Sequence, residues 1–291
     1  MILYFNMDLS IIIVSWNGKE LMRNCLKSIY DKTSGIEFEV FVVDNGSKDD
    51  TPEMVKNDFP QVSLIANDYN AGFAKANNQA IKLAQGDFVL LLNQDMLVLP
   101  ETFSGMVKFM REHPEAGVAG CHLVDENNKT VPHVRKFPTI IDQAAIILKL
   151  PHIFPKILDS YLMKNFDYKK KEPQGVDSVR GSFFTIRREV LEKLGGLDER
   201  YFFWFEEVDY CRQVKKAGWK VMYWGGVKCV DYVGQSVKKI AQYKRQKMFM
   251  ESMLKYFKKW EPAWQWVALY VLRIVTLVGV WIGDKMLFLK K

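Results

Sequence analysis

The chain has 291 residues, 48% of them hydrophobic, enough to bury a large core and hold one big α/β domain with an appendage. It has no low-complexity tract or internal repeat, and its four cysteines form no Cys-x-x-Cys pair, which excludes a repeat architecture and a disulfide scaffold and argues against zinc. The net charge of +7 is unevenly placed: residues 237–291 hold twelve Lys/Arg against three Asp/Glu, leaving residues 1–236 at about −2. A basic tail beside an apolar segment suits an anionic membrane surface, and the main domain carries no nucleic-acid recognition module.

Met1–Phe5 is too short and lacks the basic lead of a signal peptide, so a cytoplasmic active domain is expected. Leu9–Val14 is a near-continuous β-branched run, the pattern of a strand buried on both faces of a parallel sheet. Ser15-Trp16-Asn17-Gly18 breaks it, and Lys19–Tyr30 predicts a helix with Leu21, Cys25, Leu26 and Ile29 inward. Glu37–Val43 predicts a second strand ending in the polar turn Asp44-Asn45-Gly46-Ser47. Thr51-Pro52-Glu53 opens a helix with Thr as cap and Pro first. Val62–Ala66 is a third strand, Asn70-Ala71-Gly72-Phe73 precedes a helix over Ala74–Ala84, and Phe88–Leu92 is a fourth strand running into Asn93-Gln94-Asp95.

Four strand–helix alternations with short connections predict an α/β fold built on a doubly wound parallel sheet. Ligands of such sheets gather at the carboxyl ends of the strands, where Ser15, Asp44, residues 67–72 and Asp95 all fall. Residues 137–178, punctuated by Pro138, Pro151, Pro155 and Pro173, are an insertion near the acceptor side. Order returns at Val179–Ile186, followed by helices over Arg188–Leu194 and Glu207–Ala217 and a strand over Lys220–Tyr223. Cys25, Cys121, Cys211 and Cys229 sit in apolar surroundings as small core fillers of a reducing compartment. From Ser236 the texture changes. Lys238–Trp260 is a basic amphipathic segment with Tyr243, Met250, Leu254 and Phe257 on one side, and Pro262 ends it. Ala263–Gly283 is mostly apolar but holds Arg273 near its middle, a charge that costs ~2.5–3.5 kcal/mol at a bilayer centre. An interfacial or partner-packed segment is therefore expected ahead of a membrane span.

Two acidic clusters carry the chemistry. Asn93-Gln94-Asp95 presents a carboxylate and an amide after a buried strand, an arrangement suited to a divalent cation bridging a diphosphate. Glu206-Glu207-Val208-Asp209 offers carboxylates, one of which can serve as general base. Together they suggest sugar transfer from a nucleotide. Each also has a plain reading: Asp95 as a turn cap, Asp44 as an Asx-turn residue, Glu207 and Asp209 as helix-start acids favoured by the macrodipole. Arg135-Lys136 and Arg180 are solvated charges or diphosphate contacts, and Trp204 and Tyr232 are core aromatics or sugar platforms. His113, His122, His133 and His152 show no metal-ligand spacing. The first strand lacks a following G-x-G-x-x-G, which excludes a dinucleotide oxidoreductase.

Taken in order, Ser15-Trp16-Asn17, Val43-Asp44-Asn45-Gly46-Ser47, Asn70-x-Gly72-Phe73-x-x-x-Asn77, Leu92-Asn93-x-Asp95, Gly195-Gly196-Leu197-Asp198 and Phe205-Glu206-Glu207-x-Asp209 resemble glycosyltransferase family 2. These are inverting enzymes of the GT-A fold, a Rossmann-like, mainly parallel sheet flanked by helices. The likeness is nearest to bacterial rhamnosyltransferase-like members that build cell-surface polysaccharides, and it covers roughly residues 8–236. It implies a GT-A domain over 1–236, with a nucleotide-binding half at 8–100 and an acceptor half at 101–236, and a helical membrane-associating tail at 237–291.

The resemblance also implies roles. Asp44 would bind the base of the nucleotide, with Ser15 and Asn17 beside base and ribose and Asn45, Asn93 and Gln94 in the same nucleotide-sugar site. Asn70, Gly72 and Asn77 would shape the floor beneath diphosphate and sugar. Asp95 would be the surviving acid of the family's metal-binding triplet, which here begins with Asn93. Asp231 stands where relatives often show a His; either it replaces that His as a metal ligand, or the ligand is missing and metal dependence is weakened. Glu207 would be the base, with Glu206 and Asp209 supporting it or binding acceptor. The implied cofactor is Mg²⁺ or Mn²⁺. The implied partners are a dTDP- or UDP-linked sugar donor, rhamnose first, a glycan or lipid-linked acceptor, and the inner face of the cell membrane, with no nucleic acid. The alternative is a catalytically weak nucleotide-sugar-binding module of a polysaccharide assembly complex, against which both acidic clusters argue.

Overall fold

The computed structural model describes residues 7–232 and 241–288. Met1–Phe5, the stretch from Val233 to Ser236 and the first residues of the expected tail, with the domain boundary drawn at 236, lie outside the described residues.

In chain order the elements are β1 (Leu9–Ser15), α1 (Lys19–Lys32), β2 (Phe38–Asn45), α2 (Thr51–Asp58), β3 (Ser63–Asn67), α3 (Phe73–Ile81), β4 (Phe88–Asn93), β5 (Met96–Val98), α4 (Thr102–Glu112), β6 (Ala116–Val124), α5 (Ile140–Ile147), β7 (Gln174–Val176), β8 (Phe183–Arg187), α6 (Arg188–Leu194), α7 (Glu206–Lys216), β9 (Lys220–Asp231), α8 (Gln242–Trp260) and α9 (Ala263–Phe288). Among the described residues nine strands form one sheet in the order β3-β2-β1-β4-β8-β6-β9-β5, with β7 paired to β9. β1 to β4 are parallel, as are β6 and β9.

β1 is buried on both faces as its run of Ile predicts. Ile11 and Ile13 join the core beneath α1, while Ile12 packs with the opposite core that includes Val43, Leu91 and Phe184. On α1 the inward residues are Met22, Cys25, Leu26 and Ile29, so Met22 takes the place expected of Leu21. All four cysteines are buried and free.

The second half departs from an all-parallel sheet. β8 enters between β4 and β6 and runs antiparallel to both, pairing Leu92 with Phe183 and Phe88 with Arg187. The chain therefore meets the sheet at the carboxyl edge of β4, where Asn93 N–H donates to Ser182 O at 3.1 Å. That entry brings Arg180, Gly181 and Ser182 to the edge where ligands gather. β9 is longer than expected because an irregularity around Gly225 and Gly226 lets it resume pairing with β6, and it ends at Asp231 opposite Met96.

α8 is built into the domain. Met250, Met253, Tyr256 and Phe257 are fully buried and share a core with Ile147, Tyr201, Phe205 and Leu269. Asp209, fully buried, faces this tail: its carboxylate accepts from Lys259 Nζ at 2.7 Å, Trp260 Nε1 at 2.5 Å and Gln213 Nε2 at 2.8 Å. Arg212 pairs with Glu261 at 2.6 Å beside it. Removing one partner of such a pair strands the other charge. Asp209→Ala is expected to cost about 3 kcal/mol, at the low end for buried pairs because Lys259 keeps some solvent. Urea unfolding measures it, and a loss under 1 kcal/mol would show that the tail docks without this contact. Among the described residues no helix is long and apolar enough to cross a membrane.

Candidate active site

Strand register builds the site's first wall. Ser15 lies opposite Asp44, Val14 opposite Asn93 and Asn45 opposite Asn67, so the polar ends of four strands form one row. The loops after these strands are tied to one another. Asp44, 1% exposed, accepts from Ser47 N at 2.8 Å and Ser47 Oγ at 2.6 Å. Burial raises the pKa of its carboxyl above the ordinary value, and the bonds from Ser47 oppose that rise. Asn17, with φ 49°, donates its N–H to Ser47 Oγ at 2.8 Å, and its Oδ1 accepts from Lys48 N at 2.7 Å. Ser15 Oγ donates to Gln94 Oε1 at 2.9 Å, joining the loops after β1 and β4.

The 70–73 turn is held in the same way. Asn45 Nδ2 donates to Gly72 O at 3.2 Å and its Oδ1 accepts from Ala71 N, while Asn70 Oδ1 accepts from Gly72 N at 2.9 Å. Gly72 has φ 82°, and a Cβ there would fall 2.6 Å from Phe202 O, which already accepts from Phe73 N. Asn77 Nδ2 bonds Phe73 O at 2.9 Å. The structure thus brings Ser15, Asn17, Asp44, Asn45, Asn70, Gly72, Asn77, Asn93 and Gln94 to one edge. The side chains of Asn17, Asn45, Asn70 and Asn77 brace the loops there.

A cavity of about 450 Å³ adjoins this edge. Its lining includes Asn93, Arg180, Ser182 and Asp231 from the sheet edge and Trp204, Glu206 and Glu207 from the start of α7. The two glutamates occupy the first turn of α7, entered through Trp204 and Phe205 at φ 67° and 71°. Two bulky residues in the left-handed region are strained, and the tail core behind them fixes that turn. Burial, then the charge of Glu207, raises the pKa of Glu206 well above the ordinary 4.5. Burial likewise raises that of Glu207, and Arg180 pulls it back. One carboxylate oxygen of each is buried without a hydrogen-bond partner among the described residues. A carboxylate left so poorly solvated is a strong proton acceptor.

Asp95 and Asp231 lie side by side. Asp231 pairs with Met96, and Tyr232 N–H donates to Asp95 O at 3.1 Å. Both are buried, at 4% and 3% exposure. Asp231 Oδ2 is approached by Arg180 Nη1 at 3.2 Å and Ser182 Oγ at 3.3 Å. Among the described residues no three His, Cys, Asp or Glu side chains form a complete metal cage. Asp231 lines the cavity and the backbone of Asp95 is its neighbour across the strand pair, and Mg²⁺ or Mn²⁺ needs only one or two protein oxygens, with substrate phosphates and water filling the remaining positions.

Asp209 belongs to the same acidic cluster in sequence but does not line the cavity, since its carboxylate is turned to α8. Arg135 and Arg180 do line it, whereas Lys136 leaves to bond Ser160. Sequence reasoning passed over His133 and Tyr161, both in the lining. His133 Nδ1 lies 3.1 Å from Val131 O, and burial pushes its pKa down to about 3, so the ring is neutral. Asn78 was also missed: it bonds both N and O of Leu197 and holds the 195–198 turn against α3. Only its place beside Asn77 hinted at it.

The family model for glycosyl transferase family 2 matches residues 10–195. The chain belongs to this family. A rhamnosyltransferase relative is the N-acetylglucosaminyl-diphospho-decaprenol L-rhamnosyltransferase of Mycobacterium tuberculosis, 28% identical over 197 residues, which are 63% of each chain. The alignment thus spans under two thirds of that relative's length. The hexosyltransferase Agl10 of low-salt glycan biosynthesis in Haloferax volcanii is 24% identical over 72% of this chain and 62% of its own. Among solved structures, the mannosyltransferase PcManGT of Pyrobaculum calidifontis, in complex with GDP-Man and Mn²⁺, has a TM-score of 0.60 at 19% identity, covering 97% of this chain and 76% of that one. TarS of S. aureus with UDP-GlcNAc has a TM-score of 0.58 at 19% identity, covering 86% and 65%. The chain shares with these structures the α/β architecture of the GT-A fold, a mostly parallel sheet flanked by helices, as its motifs imply.

Proposed function

We propose that the protein is an inverting enzyme that moves a sugar from a nucleoside-diphosphate donor at the strand-end row to an acceptor hydroxyl in the adjoining cavity. The observation that carries this reading is Glu207, half-buried with one carboxylate oxygen fully buried and its pKa raised, in the lining of a cavity shared with Asn93 and Asp231 at the ends of β4 and β9. Glu207 takes the proton of the acceptor hydroxyl as its oxygen attacks the anomeric carbon. The bond to the diphosphate breaks on the opposite face, so the configuration inverts. Asp44 receives the base, and the braced 70–77 segment supports diphosphate and sugar. Arg180 lies where it can offset charge growing on the leaving diphosphate. Asp95 and Asp231 would hold a divalent cation, which supplies Lewis-acid stabilisation of that charge when bound. The Mn²⁺ named with donor or product in related solved structures supports this assignment.

The mycobacterial relative's name supports L-rhamnose as donor sugar and a lipid-linked saccharide as acceptor, with dTDP the carrier that the family resemblance implies. UDP-sugars, of the kind named for TarS, come second. Peripheral attachment to the inner face of the cell membrane is supported by the basic tail and by Trp264, Val267, Tyr270, Val271 and Ile274, all exposed on α9.

A thermal-shift panel of dTDP, UDP and GDP with and without Mn²⁺ tests the donor site. A ligand at 100 times its Kd stabilises the folded form by ~2.7 kcal/mol. One nucleotide is expected to raise Tm selectively and more so with Mn²⁺, followed by slow hydrolysis of the matching sugar nucleotide without acceptor. No shift with any of them would overturn the reading.

A further inference from the structure

A second cavity, of about 570 Å³, lies between α5 and α8 and has no part in the chemistry above. Its lining is apolar at Ile146, Ile147, Trp204, Phe249 and Met250 and polar at Gln242 and Gln246. Two cations, Lys149 and Arg245, stand in it, and among the described residues neither forms an ion pair. It adjoins the reaction cavity, with the T-shaped pair Trp204 and Phe249 lining both. The wall is also preorganised. α5 opens with a reciprocal capping box between Thr139 and Asp142, and Met250 is fully buried in the tail core that fixes α8.

We infer that this groove is the binding site for the lipid part of the acceptor, a polyprenyl chain joined through a diphosphate to the sugar that is glycosylated. The inference rests on the glycosyl-transfer reading. The groove's chemistry matches the ligand piece by piece. A sugar in the reaction cavity presents its hydroxyl to Glu207. The diphosphate that follows passes Trp204 and meets Lys149 and Arg245, which have no carboxylate partner among the described residues. The isoprenoid chain then lies on Ile146, Phe249 and Trp204, where burial of apolar surface holds it. Leu148, Ile153 and Phe154, all exposed next to the groove in sequence, extend an apolar path outward for the rest of the chain. A purely hydrophilic acceptor would leave these walls without a partner, and a neutral lipid would leave two cations without one. The insertion at 137–178 and the basic tail thus serve one purpose: each supplies one wall and one charge.

Farnesyl diphosphate is a soluble probe of this chemistry, titrated by calorimetry with the nucleoside diphosphate that stabilises the protein present at saturation to close the donor site. We expect binding at least tenfold tighter than that of inorganic pyrophosphate. Lys149→Glu with Arg245→Glu is expected to weaken it at least tenfold, and Lys149→Arg with Arg245→Lys to restore it, with melting temperature reporting the fold. Equal affinity for pyrophosphate would mean a bare anion site and overturn the inference, as would unchanged binding in the charge-reversed variant. If that variant instead loses only cosedimentation with phosphatidylglycerol vesicles, the two cations serve the membrane surface and the groove assignment fails. Absence of any nucleoside-diphosphate shift would defeat the glycosyl-transfer reading separately.

Discussion

Glu207→Gln is expected to lower the rate of transfer by about 10²–10⁴-fold, the contribution of a positioned general base, while nucleoside-diphosphate affinity stays within a few fold. Gln keeps the shape and the contact to the cavity but cannot take a proton. The pH profile identifies the group. Because burial raises the Glu207 pKa above the ordinary 4.5, activity should climb with pH along a limb displaced upward from that value. Arg180→Met removes the cation that opposes the rise, so the limb should move further up. Stability runs the other way. A carboxyl whose folded pKa is raised contributes stability below pH 4.5, and that contribution is lost as pH rises through the folded pKa. At pH 7.5 the Gln variant should therefore melt at or above the wild-type temperature, with the difference vanishing towards pH 4. Near-normal turnover in this variant, with the large loss in Glu206→Gln instead, would transfer the role to Glu206.

How much of this was legible in the sequence depends on the range of the interactions. β1, β2 and β4 announce themselves because each is buried on both faces over an apolar run, whereas β3, at the sheet edge, is half-exposed and is marked only by Leu64, Ile65 and Ala66. Their polar ends at Ser15, Asp44 and Asn93 then fall in one row by register alone. β6 gives no such signal. Its Gly117 and Gly120 are required by packing, since a Cβ at the first would fall 2.7 Å from Trp219 Cβ and at the second 2.9 Å from Val179 Cβ. Tertiary fit there removes the β-branched residues by which a strand is recognised. The Arg180–Asp231 pair joins residues fifty-one positions apart across an antiparallel entry, and no local pattern encodes it. Asp209 shows the converse. It follows the two glutamates in the acidic motif, yet its partners Lys259 and Trp260 lie fifty residues on, so motif proximity misplaces it. The same long-range docking aligns the tail with the insertion, and that alignment could be seen only once both were folded.

Asp95→Ala should cost about 10²–10³-fold in transfer, the scale on which loss of one preorganised electrostatic partner is felt. The argument turns on what remains at the edge. On the proposed assignment a cation would keep only Asp231 without Asp95, and Asp231 Oδ2 is already approached by Arg180 and Ser182. The Mn²⁺-dependent part of the nucleotide's thermal shift should therefore shrink or vanish, while the part owed to base recognition at Asp44 persists. Raising Mn²⁺ should recover some of the lost rate, because the diphosphate still brings oxygens of its own. Asp231→Asn provides the comparison. It weakens the hold on the cation but also frees Arg180, so its loss should be smaller than that of Asp95→Ala and less responsive to metal. If Asp95→Ala keeps full Mn²⁺ dependence and a normal rate, the cation is held elsewhere. Charge on the leaving diphosphate would then fall to Arg180 and Arg135, and Arg180→Met would become the variant with the greater loss.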